Sequence, residues 1–66
     1  MKRSFLIGNL RFEPEAVIYN NRRSHIWTVW QFVDRVWQHK AKLVTKANET
    51  KANVFIKYNE IMEATQ

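Results

Sequence analysis

The 66-residue sequence has no cysteine, one glycine and one proline. The absence of cysteine excludes a disulfide framework and a thiolate metal site. So little glycine and proline excludes a collagen-like or low-complexity chain. No apolar run approaches the roughly 18 residues of a membrane-spanning helix, and the run after Lys2 and Arg3 is too short for a secretion signal. We therefore expect an intracellular, cytoplasmic protein without a membrane partner.

Aromatic and positively charged residues are abundant instead. Aromatic residues make up 14% of the chain and hydrophobic residues 45%, which excludes a disordered tail. The net charge is +5, with the positive excess in residues 1–46, and such a surface attracts phosphate. The chain is long enough for one small domain, residues 1–66, and a domain of this size buries little surface. We therefore expect it to associate with a second copy or with another protein.

The N-terminal third has the pattern of β structure. Residues 3–12 predict a strand in which Gly8 marks a bulge or a close approach of the backbone, and Pro14 is expected to end it because proline lacks an N–H for pairing. Residues 16–19 form a second β-prone piece. Residues 20–24 predict a turn with two arginines at its tip.

The middle of the chain fits two patterns. As a helix, residues 25–46 would present one amphipathic stripe, giving a ββαα fold. As a strand, residues 26–37 are rich in β-branched and aromatic side chains, and both faces would be largely apolar. The pattern alone does not decide between them. We interpret the polar residues 38–53 as a hairpin loop or a helix end, residues 54–58 as a strand and residues 59–66 as a short helix.

The segment Phe5-Leu6-Ile7-Gly8-Asn9-Leu10-x-x-Glu13-Pro14-Glu15 resembles the opening of bacterial-type single-stranded DNA-binding proteins. That family begins with an apolar triplet, glycine, a variable residue, leucine and an acidic-Pro-Glu group. The order that follows is also similar: a turn, an apolar strand near a tryptophan, a polar loop, another apolar strand and a helix start like Ile61-Met62-Glu63-Ala64. The resemblance covers nearly all of this chain but only about half of the family's domain.

The resemblance implies a mainly β fold, a partial OB-like antiparallel sheet of about three strands with a short C-terminal helix. An OB barrel has five strands, and a partial sheet leaves bare edges. The resemblance therefore implies a homo-oligomer or a protein partner that completes the sheet. The chain departs from the family in its turn, where Asn20-Asn21-Arg22-Arg23 replaces a glycine-rich segment, and in lacking an acidic tail.

Binding of single strands requires aromatic rings that stack on bases and a basic groove that follows the phosphates. The resemblance places Trp37 and Tyr58 at stacking positions, and composition adds Trp30 and Trp27. For each of these rings, the alternative to stacking on a base is burial in the core. The candidates for phosphate contacts are Arg22, Arg23, Arg35, Lys40, Lys42 and Lys46. The alternative for these residues is a charged surface in contact with solvent alone.

The sequence does not indicate catalysis, a cofactor or a metal. His25 and His39 are not spaced as a pair of metal ligands, and a single glycine cannot form a phosphate-binding loop. Two classes of function remain open. The first is a non-enzymatic protein that binds single-stranded DNA or RNA. The second is an assembly or inhibitor factor that docks an aromatic-rich amphipathic helix on a protein partner.

Overall fold

The computed structural model describes residues 3–64, which form four strands and one helix. These are β1 (Phe5–Ile7), β2 (Leu10–Tyr19), β3 (Arg22–Val33), β4 (Val36–Lys46) and α1 (Lys51–Ala64). The strands pair antiparallel in the order β1-β2-β3-β4, which leaves β1 and β4 at the edges of an open sheet. The prediction of a mainly β fold with a C-terminal helix is confirmed, with four strands where about three were expected.

Two-residue turns connect the four strands. Both residues of Asn20-Asn21 and of Asp34-Arg35 have positive φ, between 52° and 66°, as type I′ turns require. Gly8, with φ 58°, begins the turn between β1 and β2. The turn predicted over residues 20–24 is present but shorter: Asn20-Asn21 forms it, and Arg22 and Arg23, which were expected at its tip, begin β3. The predicted bulge at Gly8 is wrong, because this glycine reverses the chain and divides residues 3–12 into two strands.

The alternative helix over residues 25–46 is wrong, because these residues form most of the β3–β4 hairpin and its turn. Of the polar residues 38–53, which we interpreted as a hairpin loop or a helix end, residues 38–46 belong to β4, residues 47–50 connect it to α1, and residues 51–53 begin that helix. Along the second half of β4, Leu43 and Thr45 are buried whereas Lys42, Val44 and Lys46 are exposed. This alternation is that of a strand with one face in the core.

Residues 54–58, predicted as a strand, lie inside α1. The Thr50 hydroxyl accepts a hydrogen bond from the Asn53 backbone N–H at 3.2 Å, which is the arrangement of a helix N-cap. Val54 and Tyr58, four residues apart, form the buried side of the helix. Packing of this face against the sheet therefore prevails over the β propensity of the segment.

β2 continues through Pro14, which was expected to end a strand. Pro14 lies opposite Trp27 of β3, and pairing with β1 reaches only as far as Phe12. Proline is tolerated in an edge strand when its nitrogen faces away from the neighbouring strand, where no hydrogen bond is required. β2 is thus an inner strand up to Phe12 and an edge strand beyond it.

The core lies between α1 and one face of the sheet. Its buried members are Phe12, Trp27, Val29, Leu43, Val54 and Tyr58. Phe5 stacks on Phe12 with ring centroids 4.8 Å apart. The Trp27 Nε1–H donates a hydrogen bond of 2.8 Å to Thr45 Oγ1, so the largest core side chain has its polar atom satisfied.

A β-bulge at Lys40 determines which residues of β4 reach this core. Trp30 pairs with His39 and Val29 pairs with Ala41, so Lys40 has no opposite residue on β3. If the register set by the turn had continued, Lys42 would lie opposite Trp27 in the core, and Leu43 would face solvent. The extra residue therefore reconciles the register of the hairpin with the hydrophobic pattern of the strand.

We predict that Thr45→Val lowers the free energy of unfolding by about 1–3 kcal/mol, because the Trp27 N–H would stay buried without an acceptor. Urea unfolding monitored by circular dichroism measures the change. Thr28→Val, the same substitution on a partly exposed position of β3, is the control and should change stability little. Equal stability of the two variants would show that this hydrogen bond does not hold Trp27 in place.

Candidate functional site

The sheet face opposite α1, which we call the open face, is not covered by any element of residues 3–64. Residues opposite each other on antiparallel strands share a face, so Arg11, Trp30 and His39 form one row across β2, β3 and β4. Phe32 and Trp37 form the next row, nearer the hairpin turn. The bulge at Lys40 allows Trp37 and His39 to lie on this face while Leu43 enters the core.

Four aromatic rings meet on the open face. We call Trp30, Phe32, Trp37 and His39 the aromatic patch. Trp30 and His39 pack edge to face with centroids 5.7 Å apart, and Phe32 and Trp37 do so at 5.1 Å. Phe32 keeps 42% and Trp37 37% of its surface exposed. Exposed rings that their neighbours hold in place form a platform for a planar apolar group.

Charges on the open face are separated by strand. Glu13 and Glu15 project from β2, whereas Lys42 and Lys46 project from β4, at the opposite side of the face. Arg11 lies near the acidic side, where its Nε bonds Glu13 at 2.8 Å. An exposed ion pair of this kind stabilises the fold little. An anion is therefore attracted to the β4 side, next to the aromatic patch.

Two of the predicted stacking residues lie in the core. Trp27 is 1% exposed and Tyr58 is 5% exposed, on the covered side of the sheet and on α1 respectively. Burial also raises the pKa of the Tyr58 hydroxyl. The expectation that these rings present a face to a ligand is corrected, because their packing against Phe5, Phe12 and Phe55 closes them off from solvent.

The structure brings together only some of the remaining predicted residues. Trp30, Trp37, Lys42 and Lys46 share the open face, and Lys40 is exposed at the bulge between the rings and these lysines. The other three predicted cations lie in turns or at the start of β3: Arg35 at the β3–β4 turn, and Arg22 and Arg23 at the far end of the sheet.

Sequence reasoning missed Phe32, His39 and Arg11. The signal that identifies them is the period-two alternation of β3 and β4. The sequence does not mark the turn at Asp34-Arg35, so residues 26–37 have the pattern of one continuous strand or of one helix, and the alternation is hidden. Arg11 is found only through the pairing of β2 with β3, where it lies opposite Trp30.

A cleft of about 570 Å³ opens beside the aromatic patch at the β1 end of the sheet. Its lining residues are Ser4, Phe5, Leu6, Arg11, Trp37 and Lys51. The Arg11 guanidinium lies 6.0 Å from the centre of the Trp37 ring, and Lys51 Nζ lies 5.8 Å from that of Phe5. The cleft thus extends the exposed aromatic surface and adds two cations to its border.

The open face also contains an unsatisfied donor. Of the side chains described, Trp30 Nε1 and His25 Nδ1 are buried and without a hydrogen-bond partner. Residues 3–64 contain no group of three or more His, Asp or Glu side chains placed to hold a metal ion. In the same range, no helix has the length and apolar character needed to cross a membrane.

Comparison with known proteins does not assign the chain to a family. No protein-family model matches it, and neither a curated protein nor a solved structure does. The resemblance to single-stranded DNA-binding proteins therefore stays a prediction.

We predict that tryptophan fluorescence separates the core from the aromatic patch. In the double variant Trp30→Phe, Trp37→Phe only Trp27 emits, so the spectrum should shift to shorter wavelength and acrylamide should quench it weakly. The wild type should be quenched more strongly, because Trp37 is accessible. Unfolding both proteins in urea is the control and should remove the difference. Equal quenching of the two folded proteins would contradict the placement of Trp37.

Proposed function

We propose that the protein is a non-enzymatic binding protein for single-stranded DNA or RNA. Bases would stack on the aromatic patch, and phosphates would follow the lysines of β4. The observation that carries the proposal is the aromatic patch itself: exposed rings lie on a face that α1 leaves uncovered, and lysines follow them along β4.

Stacking explains why aromatic rings are useful on an exposed sheet. Every base has a flat apolar face, so an exposed ring binds bases with little preference for sequence. Antiparallel sheets that bind single-stranded RNA commonly use this arrangement, with aromatic side chains on the face away from the helices. Trp37 and Phe32 are exposed, whereas Trp30 is only partly exposed, so Trp37 and Phe32 are the expected contacts for bases.

Charge separation on the open face defines a path for the bound strand. Phosphates are repelled by Glu13 and Glu15 on β2 and attracted by the lysines on β4. The backbone of the ligand would therefore run along β4, past Lys40, Lys42 and Lys46, and the bases at the Trp37 end of this path would stack on the patch. Arg22 lies on the open face at the end of this path, two residues from Ser24, which is the partner of Lys46, whereas Arg23 lies on the other face.

The patch favours unpaired strands over a duplex. In a duplex the flat faces of the bases are already stacked on each other, and a ring on a sheet cannot reach them without unstacking. A single strand can turn its bases toward the protein at a smaller cost.

We expect Trp37→Ala to raise the dissociation constant for a single-stranded oligonucleotide by about 5- to 150-fold, the equivalent of about 1–3 kcal/mol for stacking of one base. Fluorescence anisotropy with labelled oligo-dT and oligo-U at low salt measures it. Ile56→Ala is the control, because Ile56 is 51% exposed on the helix and far from the open face in the fold. An unchanged constant for folded Trp37→Ala would refute stacking on the patch.

A second expected outcome concerns salt. The triple variant Lys40→Gln, Lys42→Gln, Lys46→Gln should reduce the slope of log Kd against log salt concentration by up to about 2. Each phosphate that is no longer neutralised contributes about 0.7 to this reduction. The control variant Arg3→Gln, Arg23→Gln, Lys57→Gln removes the same charge away from β4. If both variants change the slope equally, net charge attracts the ligand and the path along β4 is incorrect.

A further inference from the structure

Within residues 3–64, no strand pairs with the outer edge of β2 over most of its length. β1 covers β2 only from Leu10 to Phe12, and residues 13–19 pair with β3 on their inner side alone. A strand edge of this kind exposes backbone N–H and C=O groups that can pair with another strand. The neighbouring turn, Asn20-Asn21, ends the edge sharply.

The direction of the backbone groups along this edge follows from the turn between β1 and β2. Ile7 and Leu10 flank a two-residue turn and form a hydrogen-bonded pair, and such pairs alternate along antiparallel strands. The even-numbered residues of β2 therefore direct their backbone groups outward. Beyond β1 these are Pro14, which has no N–H, then Ala16 and Ile18.

The side chains at this end of β2 are apolar and exposed. Ile18 is 71% exposed and Tyr19 is 56% exposed, at the end of the sheet opposite the β1–β2 turn. An apolar cleft of about 390 Å³ lies beside them, with Ala16, Val17 and Ile18 in its wall. Apolar surface next to an unpaired strand edge is typical of a site of strand addition.

The other long edge of the sheet lacks these properties. β4 carries Lys40, Lys42 and Lys46, and an antiparallel pairing of β4 with itself would bring lysines of the two copies together. Lysine on an edge strand is a common protection against such pairing. The two edges thus differ, with β4 protected by charge and β2 open.

We propose that two copies of this chain form a dimer by antiparallel pairing of β2 with β2, with the two-fold axis at Val17. In this register Ala16 of one copy lies opposite Ile18 of the other. The two equivalent pairs form four backbone hydrogen bonds and leave no outward N–H or C=O of these residues unused. Pro14 falls outside the paired segment, so its missing N–H has no effect.

The same register is compatible with the side chains. Glu15 lies opposite Tyr19 of the second copy, so no two like charges face each other directly. Ile18 lies beside Ala16 of the second copy, at the wall of its apolar cleft, and becomes largely buried. Because the axis is perpendicular to the sheet, both open faces lie on the same side of one continuous sheet. The proposal does not depend on the function of that face.

Cysteine cross-linking tests the proposal, since the protein has no cysteine of its own. In Val17→Cys the two thiols face each other across the axis, at a non-hydrogen-bonded position where Cβ atoms approach to about 4.5–5.5 Å. Mild oxidation should join them into a covalent dimer, seen on a non-reducing gel. Val44→Cys, the same substitution at an exposed position of β4, should cross-link much more slowly.

Sedimentation of the unmodified protein provides a second measurement. The wild type should sediment as a dimer, and Ile18→Lys should sediment as a folded monomer, because a charge would be placed at the wall of the apolar cleft. A wild type that stays monomeric at several hundred micromolar would overturn the proposal. So would cross-linking of Val44→Cys at a rate equal to that of Val17→Cys. Neither measurement involves nucleic acid, so a failed binding assay leaves this inference unaffected.

Discussion

Within residues 3–64 a single helix is available to cover the sheet, and the rest of the structure depends on that limit. The 14 residues of α1 span about 21 Å. The longest strand has 12 residues and extends over about 40 Å. The helix can therefore bury one face at one end, where Phe12, Trp27 and Val29 are fully enclosed. The open face and the end of β2 near the Asn20-Asn21 turn stay in solvent. The proposed binding site lies on the first, and the proposed dimer contact lies at the second.

The covered and open faces use aromatic residues for different purposes. In the core, Trp27 is held by neighbouring rings and by the Thr45 hydroxyl, which leaves no surface for a ligand. On the open face, Trp37 contacts Phe32 and Arg11 but keeps more than a third of its surface exposed. The first arrangement stabilises the fold, and the second holds a ring in place while leaving it accessible.

The β character of the chain could be predicted because β-branched and aromatic residues dominate β3, and the Asn20-Asn21 turn because asparagine tolerates positive φ. The turn at Asp34-Arg35 could not, since arginine is an unusual residue there. That omission concealed β4 and, with it, the positions of Phe32 and His39. Residues 54–58 of α1 resemble a strand because they are β-prone in isolation. The burial of Trp27 and Tyr58 could not be predicted, because a local pattern does not determine which rings are enclosed between the helix and the sheet.

Because Lys40 is the extra residue of a bulge, β4 can lose it without a change in which of the other side chains face the core. Removing Lys40 would leave His39 directly before Ala41, and every other residue of the hairpin would keep its partner and its face. Adding a residue elsewhere in β4 would instead exchange the two faces on one side of the insertion. Lys40 is therefore a position of β4 whose loss would change neither the residues of the core nor those of the aromatic patch.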